Sequence, residues 1–436
     1  MTPFSPASAM SNLTTRLRQS RLAHDSLWAV FGNGLGYGLL LLAGIFIARR
    51  LGNDIYGEYG LVKTTMIYIA GFATFGLGIS STKYIANALS ADPASVRSLA
   101  RDAIQITLCF SLALAIALAA AAAPIASLLD TPSLTGTFRV LAAIIVLKAL
   151  NTTQNGVLAG FGDFRHIAAN SVASGALMLI SCIPLTIFFG LDGAFASLLA
   201  SQALNTLLNQ MSLHKHLRAI KVQDHTETSY KRELIRFSFP IALQELNYTI
   251  CSWGGIALLT RLSSVGQVGI YTAVAQWNGV ITFIPGLLYN VILSHLSGTA
   301  NDPKSHRRTL KTMLGVNFIS TLFPFIVVFA LAGWIAGFYG PTFNGMADVL
   351  RIMTFATIFS ACSTVLYSEL ISRGHNWLSF SCRIVQEGTL FLVGWILLLH
   401  WTSQSGAICF ATAYLTSAII SFLAPFTCLT ICKGKN

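Results

Sequence analysis

Charge is what this sequence has least of. Asp, Glu, Lys and Arg make up 10% of its 436 residues, against roughly 25% in an ordinary soluble domain, and that scarcity excludes a water-soluble globule. Acidic residues are the scarcer kind, 16 against 28 basic ones. In a soluble protein such a surplus would point to nucleic acid; in a chain this apolar the informative question is where the basic residues fall relative to a membrane. The eight cysteines lie almost entirely inside apolar runs, with no Cys-x-x-Cys and no His cluster beside them at metal spacing, so they read as small core residues. An Asp-x-Asp metal site, a phosphate-binding Gly-x4-Gly-Lys-Ser/Thr loop and a large outer loop are all missing. A membrane glycosyltransferase, a polymerase or an ATP-driven pump is therefore not expected, and no bound cofactor is required.

What is there is long apolar runs, in keeping with a hydrophobic content of 54%. A membrane helix needs about 20 largely apolar residues. Twelve runs qualify, at 26–48, 60–82, 103–126, 138–160, 167–189, 193–213, 237–260, 270–293, 312–336, 346–371, 377–399 and 405–430. Continuous apolarity over such lengths means helices with their backbone groups satisfied internally, and the alternating signature of a membrane barrel is lacking. The expected fold is an all-α integral membrane protein.

Placing the N-terminus inside puts 20 of the 28 Lys and Arg in inner tails and loops and five, Arg49, Arg50, Arg139, Arg261 and Arg351, outside. Such a split follows the positive-inside rule, and one span too many or too few would invert every later loop. Both termini are thus expected in the cytoplasm. The resulting map is a cytoplasmic tail over 1–25, an N-lobe of six spans over 26–213, a basic cytoplasmic linker over 214–236, a C-lobe of six spans over 237–430 and a short tail over 431–436. The lobes echo one another at one offset. Gly57-Glu58-Tyr59 matches Gly269-Ile270-Tyr271, Val62 matches Val274, and Leu158 and Gly162 match Leu370 and Gly374. An even number of spans per repeat relates the two lobes by a pseudo-two-fold axis along the membrane normal, with a substrate cavity between them.

The residues that open each half carry a resemblance. Ala48-Arg49-Arg50-Leu51-Gly52, Tyr56-Gly57-Glu58-Tyr59, Phe75-Gly76-Leu77-Gly78 and Lys83-Tyr84, then Arg236-Phe237-Ser238-Phe239-Pro240 before Gly269-Ile270-Tyr271, resemble the polysaccharide-export flippases of the multidrug/oligosaccharidyl-lipid/polysaccharide exporter superfamily. The resemblance implies the twelve-span, two-lobe fold of the multidrug-and-toxin-extrusion type. It implies a transporter that carries a lipid-linked oligosaccharide, on an undecaprenyl diphosphate carrier, from the inner to the outer leaflet of a prokaryotic cytoplasmic membrane. Its expected partners are that glycan, membrane lipids, and the polymerase and chain-length machinery of surface polysaccharide assembly, with no nucleic acid. A multidrug cation antiporter and a peptidoglycan-precursor flippase on the same fold are the competing readings.

A charged side chain at mid-bilayer costs roughly 2.5–3.5 kcal/mol, so intramembrane charges are the informative residues. In the fourth span Lys148, Asn151, Thr152 and Asn155 stand at i, i+3, i+4 and i+7, one stripe on one helical face. In the seventh, Glu245, Tyr248, Thr249 and Ser252 repeat the spacing, and Gln276 in the eighth adds to that side. Both stripes are expected to face a hydrated cavity, or else to bond between helices inside a bundle. Lys148 and Lys63 are candidates to meet a diphosphate or an acidic sugar, with Asn151, Thr152 and Asn155 for hydroxyls, although Lys63 could instead snorkel. Arg49, Arg50 and Arg261 at outer span ends either receive the headgroup or anchor in lipid phosphates. Glu245 either binds a coupling proton or Na⁺, or neutralises a cavity lysine. Arg383 with Glu387, and Glu369 with Arg373, are expected to neutralise each other at i,i+4.

Overall fold

The computed structural model describes residues 6–220, 229–286, 303–400 and 406–433, together with Leu288, Ile292 and Leu296. The middle of the expected linker, the first five residues, the last three and the end of the expected 270–293 span lie outside them. Thirteen α-helices follow in order: α1 (Pro6–Ala73), α2 (Leu77–Ala91), α3 (Ser95–Ala120), α4 (Ala122–Leu128), α5 (Thr135–Gly160), α6 (Phe164–Ala219), α7 (Lys231–Leu262), α8 (Val265–Ile281), α9 (Pro303–Ala330), α10 (Ala332–Tyr339), α11 (Met346–Ser372), α12 (Asn376–His400) and α13 (Gly406–Lys433). No strand occurs among the described residues.

Among the described residues, eight helical segments are long and apolar enough to cross a membrane. Two of them are too long for one crossing. At 1.5 Å per residue, the 68 residues of α1 and the 56 of α6 would reach about 100 and 84 Å across a core of about 30 Å. Each is two rods meeting at a glycine in the left-handed half of backbone space, Gly52 (φ 77°) and Gly190 (φ 57°), where any other residue would be strained. Counting the two halves separately gives ten, and α7 and α8 complete the twelve.

Four expected spans are not continuous, the 270–293 run turning at Thr282 where α8 ends. The 60–82 run breaks at Phe75 (φ 53°) and Gly76 (φ 73°). Thr74 repairs the break: its hydroxyl donates to the Gly71 carbonyl at 2.8 Å and accepts from the Gly76 N–H at 3.2 Å. That supplies the partners a broken backbone needs away from water. The 103–126 run divides between α3 and α4 at Ala121, and the 312–336 run between α9 and α10 at Leu331.

In the N-lobe α6 packs on the first arm of α1 and on α5, and α3 on α5; in the C-lobe α11 and α12 pack on α13, α9 on α11 and α7 on α12. The lobes meet where α1 lies against α7 and α8. Lipid gives helices no hydrophobic reason to associate, so small residues and interhelical hydrogen bonds must do it. The contact is reciprocal. A Cβ on Gly57 would run into the carbonyl of Val265, and a Cβ on Gly269 into the carbonyl of Asn53. Moving Gly57 forward and Val265 back by the same sequence offset gives Gly269 and Asn53, so the pseudo-two-fold axis runs between the two glycines, as in an isologous dimer contact. The helix stops repeat too. After α5, Gly162 (φ 74°) follows an Asp163 N–H bond to the Leu158 carbonyl at 3.0 Å; after α11, Gly374 (φ 79°) follows a His375 N–H bond to Leu370 at 2.9 Å.

Candidate functional site

The seventh-span stripe faces the seam between the lobes. Thr249 donates to the Tyr68 carbonyl on α1 at 3.0 Å, and Trp253 Nε1, one turn on, donates to Thr65 Oγ1 at 3.1 Å. Beside these contacts lies a chamber of about 220 Å³, walled by Tyr248 and Ser252 of α7, Tyr271 of α8, Tyr367 of α11, Arg383, Gln386 and Glu387 of α12, Tyr414 of α13 and, from the opposite lobe, Tyr68. Arg383 and Glu387 do not neutralise each other at close range. No ion pair within 4 Å joins them; instead the guanidinium lies over the Tyr367 ring, 4.6 Å from its centroid. The Tyr367 hydroxyl donates to Gln386 Oε1 at 3.1 Å, which fixes that amide in the wall. Glu387 is buried, at 8% exposure, with no hydrogen bond among the described residues. Glu245 lies one turn away, its Oε2 3.3 Å from where a Cβ on Gly71 would stand. The chamber thus holds a guanidinium, a carboxylate, an amide and five phenols with capacity to spare.

The fourth-span stripe does not face one way. Asn151 and Asn155 turn into the N-lobe: Asn209 Nδ2 donates to Asn151 Oδ1 at 3.2 Å and to Asn155 Oδ1 at 2.9 Å, and Asn170 Nδ2 donates to Asn209 Oδ1 at 2.8 Å. This is the interhelical alternative, an amide seam joining α5 to both arms of α6. It is incompletely satisfied, since Asn151 Nδ2, Gln202 Oε1 and Asn205 Oδ1 are buried without partners. Thr152 is exposed and bonds back to the Lys148 carbonyl at 3.0 Å. Lys148, halfway along α5, is half-buried, and its ammonium has no hydrogen-bond or ion-pair partner among the described residues.

Lys63 and Gln276 are brought together across the lobes. Lys63 Nζ donates to Gln276 Oε1 at 3.4 Å, and Gln276 Nε2 donates to the buried Tyr56 hydroxyl. The Lys63 ammonium therefore stays in the seam and does not reach for the interface. At the end remote from the linker, Arg49 borders a surface pocket of about 470 Å³ shared with the α10–α11 turn, while Arg50 is exposed. Arg261 crosses the lobes to Asp130, with Nε 3.2 Å from Oδ2 and Nη2 3.3 Å from Oδ1. Both groups are largely exposed, at 47% and 68%, and such pairs are worth about 0–1 kcal/mol. Arg261→Ala is accordingly expected to change stability by no more than about 1 kcal/mol. Thermal unfolding measured at low and high salt will show any residual effect shrinking with ionic strength.

Several features escaped sequence reasoning. The Arg383–Glu387 spacing signals self-neutralisation, and only the fold reveals Tyr367 drawing the guanidinium away. Glu369 does pair with Arg373 at 2.6 Å, but it also accepts from His306 at 2.8 Å, far off in sequence. Asp102 of α3 accepts the Tyr230 backbone N–H at 2.7 Å and the Ser229 hydroxyl at 3.3 Å, so the N-lobe holds the start of α7. Asp163, His166 and His216 cluster where the two ends of α6 meet.

With this geometry in view, comparison with known proteins is informative. The family model for "polysaccharide biosynthesis protein" matches residues 46–316. The EPS I polysaccharide export inner membrane protein EpsE of Ralstonia solanacearum is 22% identical over 264 residues, and the match spans 58% of each chain. Among solved structures, an inward-facing multidrug resistance MATE family transporter of the MOP superfamily superposes with a TM-score of 0.76 at 17% identity, covering 92% of this chain and 96% of that one. The lipid II flippase MurJ in an inward closed conformation gives 0.71 at 16% identity, covering 94% and 87%. The structural likenesses carry the fold, all-α and two-lobed as in those proteins, and the family match spans more than half of the sequence. The chain belongs to the polysaccharide biosynthesis protein family.

Proposed function

We propose that this protein flips a lipid-linked oligosaccharide, on an undecaprenyl diphosphate carrier, from the cytoplasmic to the outer leaflet, with the linker end of both lobes in the cytoplasm. The observations that carry the reading are a Lys148 ammonium, midway along α5, with no partner among the described residues, and a polar chamber in the interlobe seam lined by Arg383 and Glu387. A diphosphate sugar headgroup cannot leave water without replacement donors and acceptors. Lysine and arginine meet phosphate; carboxylate, amides and phenols meet hydroxyls. The polyprenyl tail stays in lipid while the lobes rock about the Gly57–Gly269 contact. A drug-cation antiporter would want unpaired carboxylates without nearby cations, and here Arg383 acts on both Glu245 and Glu387. Family membership and the EpsE likeness favour export of polysaccharide precursors over the peptidoglycan precursor.

The test is reconstitution. Proteoliposomes carrying the host's own undecaprenyl diphosphate glycan in both leaflets should expose the inner pool to an external glycan-modifying enzyme at a rate that depends on the protein. If only a lipophilic cation moves, the antiporter reading takes its place. Glu245 is the candidate coupling group, because its carboxyl sits in the seam that must open and close. Glu245→Gln is expected to abolish the dependence of flipping on an imposed pH or Na⁺ gradient while leaving gradient-free exchange; a gradient response equal to wild type would make Glu245 structural.

A further inference from the structure

A second cluster of chemistry lies outside the transport path, on the linker face of the N-lobe. Because α6 doubles back at Gly190, its first and last turns are neighbours. Asp163 caps its start, Oδ1 accepting the His166 N–H at 3.2 Å. That cap needs one carboxylate oxygen and no imidazole. Two imidazoles are nevertheless present: His166 Nδ1 stands 2.7 Å from Asp163 Oδ1, and His216 Nε2, from the last turn, stands 2.5 Å from Oδ2. The three donor atoms all lie within 4.8 Å of one another. The His216 ring is held in place by stacking on Phe161, with centroids 4.9 Å apart and planes 15° apart.

The duplication provides a control. The C-lobe makes the same helix stop at Gly374, yet His375, Leu378 and Cys428 occupy the positions matching Asp163, His166 and His216. The helix stop therefore does not require the triad.

We propose that Asp163, His166 and His216 form a metal site of the zinc class that joins the two ends of the α6 hairpin at the root of the interlobe linker. Two imidazole nitrogens and one carboxylate oxygen are a donor set that zinc, cobalt or nickel accepts, whereas magnesium and calcium demand oxygen shells. Ligand atoms around a tetrahedral ion at about 2.1 Å stand about 3.4 Å apart, so the two Asp–His contacts need to open by less than about 1 Å and the two imidazole nitrogens, within 4.8 Å of each other, to close by at most about 1.4 Å. The freedom exists, because the His166 and His216 side chains are 48% and 34% exposed. Binding turns the imidazole nitrogens that now face Asp163 into ligands, with any proton on them passing to the other ring nitrogen or to water, and leaves the fourth position to water. The ion would fix where the linker leaves the N-lobe, tying metal occupancy to lobe geometry.

Full-length protein purified in detergent, loaded with Zn²⁺ and desalted, should retain one equivalent per chain by elemental analysis, with a higher Tm than the chelator-treated form and no competition from Mg²⁺. His166→Ala and His216→Ala should each lose that equivalent and the Tm shift. Should His216→Ala misfold through its stacking on Phe161, His166→Ala on the exposed first turn still decides. Wild-type protein that retains no zinc, or His166→Ala protein that retains the full equivalent, overturns the proposal.

Discussion

Gly57→Ala will cripple transport although it adds one methyl group, and Gly269→Ala will do the same. The new Cβ in each case meets a backbone carbonyl on the opposite lobe, Val265 for Gly57 and Asn53 for Gly269, and a carbonyl in a helical turn cannot rotate aside as a side chain would. Overpacking of this kind costs about 1–3 kcal/mol. Set against the state in which the lobes touch, that lowers its population about 5- to 150-fold. The substitution leaves each lobe's interior untouched, so insertion and expression should match wild type. Gly38→Ala is the control, because nothing lies within 4 Å of a Cβ at that position. In a cysteine-free background, a cysteine replacing Ser252 on the chamber wall should react faster with a membrane-impermeant maleimide added outside when Gly57 or Gly269 carries the methyl. Equal labelling and equal flipping in both variants would show that the axis contact does not govern the cycle.

That pair of glycines was legible in the sequence as a faint repeat, and the fold follows from features that a linear reading captures. Apolar runs point to the membrane helices, and a shared offset points to the reciprocal glycine contact between the two lobes. The misses have two physical origins. Hydropathy averages over a turn or more, so a three-residue break such as Thr74-Phe75-Gly76 leaves no trace in it, especially when Thr74 supplies the missing hydrogen bonds itself. Helical spacing says which residues share a face, but not which neighbour that face meets. Asn151 and Asn155 therefore looked like companions of Lys148, whereas Asn209 draws them into the N-lobe. By the same logic Arg383 and Glu387 looked like a closed pair until α11 placed Tyr367 beneath the guanidinium. In each case a partner more than ten residues away decided the outcome, and a single-helix pattern carries no information about it.

Lys148→Ala will produce a protein that inserts and folds as well as wild type, or better, and flips its substrate at a small fraction of the wild-type rate. The two halves of that result separate a working residue from a structural one. A lysine kept for stability would have a partner, and its removal would strand that partner. Here the ammonium has none among the described residues, so at mid-bilayer it carries a cost of roughly 2.5–3.5 kcal/mol with nothing intramolecular to offset it. Such a cost is tolerated where the compensating charge arrives with the substrate. A hydrogen bond to a charged group is worth about 1.5–3 kcal/mol, so its loss should slow flipping by about 10- to 150-fold. Lys148→Arg, which keeps the charge and can grip phosphate with two parallel bonds, should recover part of the rate, and Lys148→Glu none. The readouts are Tm in detergent, the membrane-inserted amount and the proteoliposome flipping rate, measured on the same preparations. A variant that loses stability and rate together would return Lys148 to a structural role. One that flips at wild-type speed would move phosphate recognition to Arg383, where Arg383→Gln should then carry the loss.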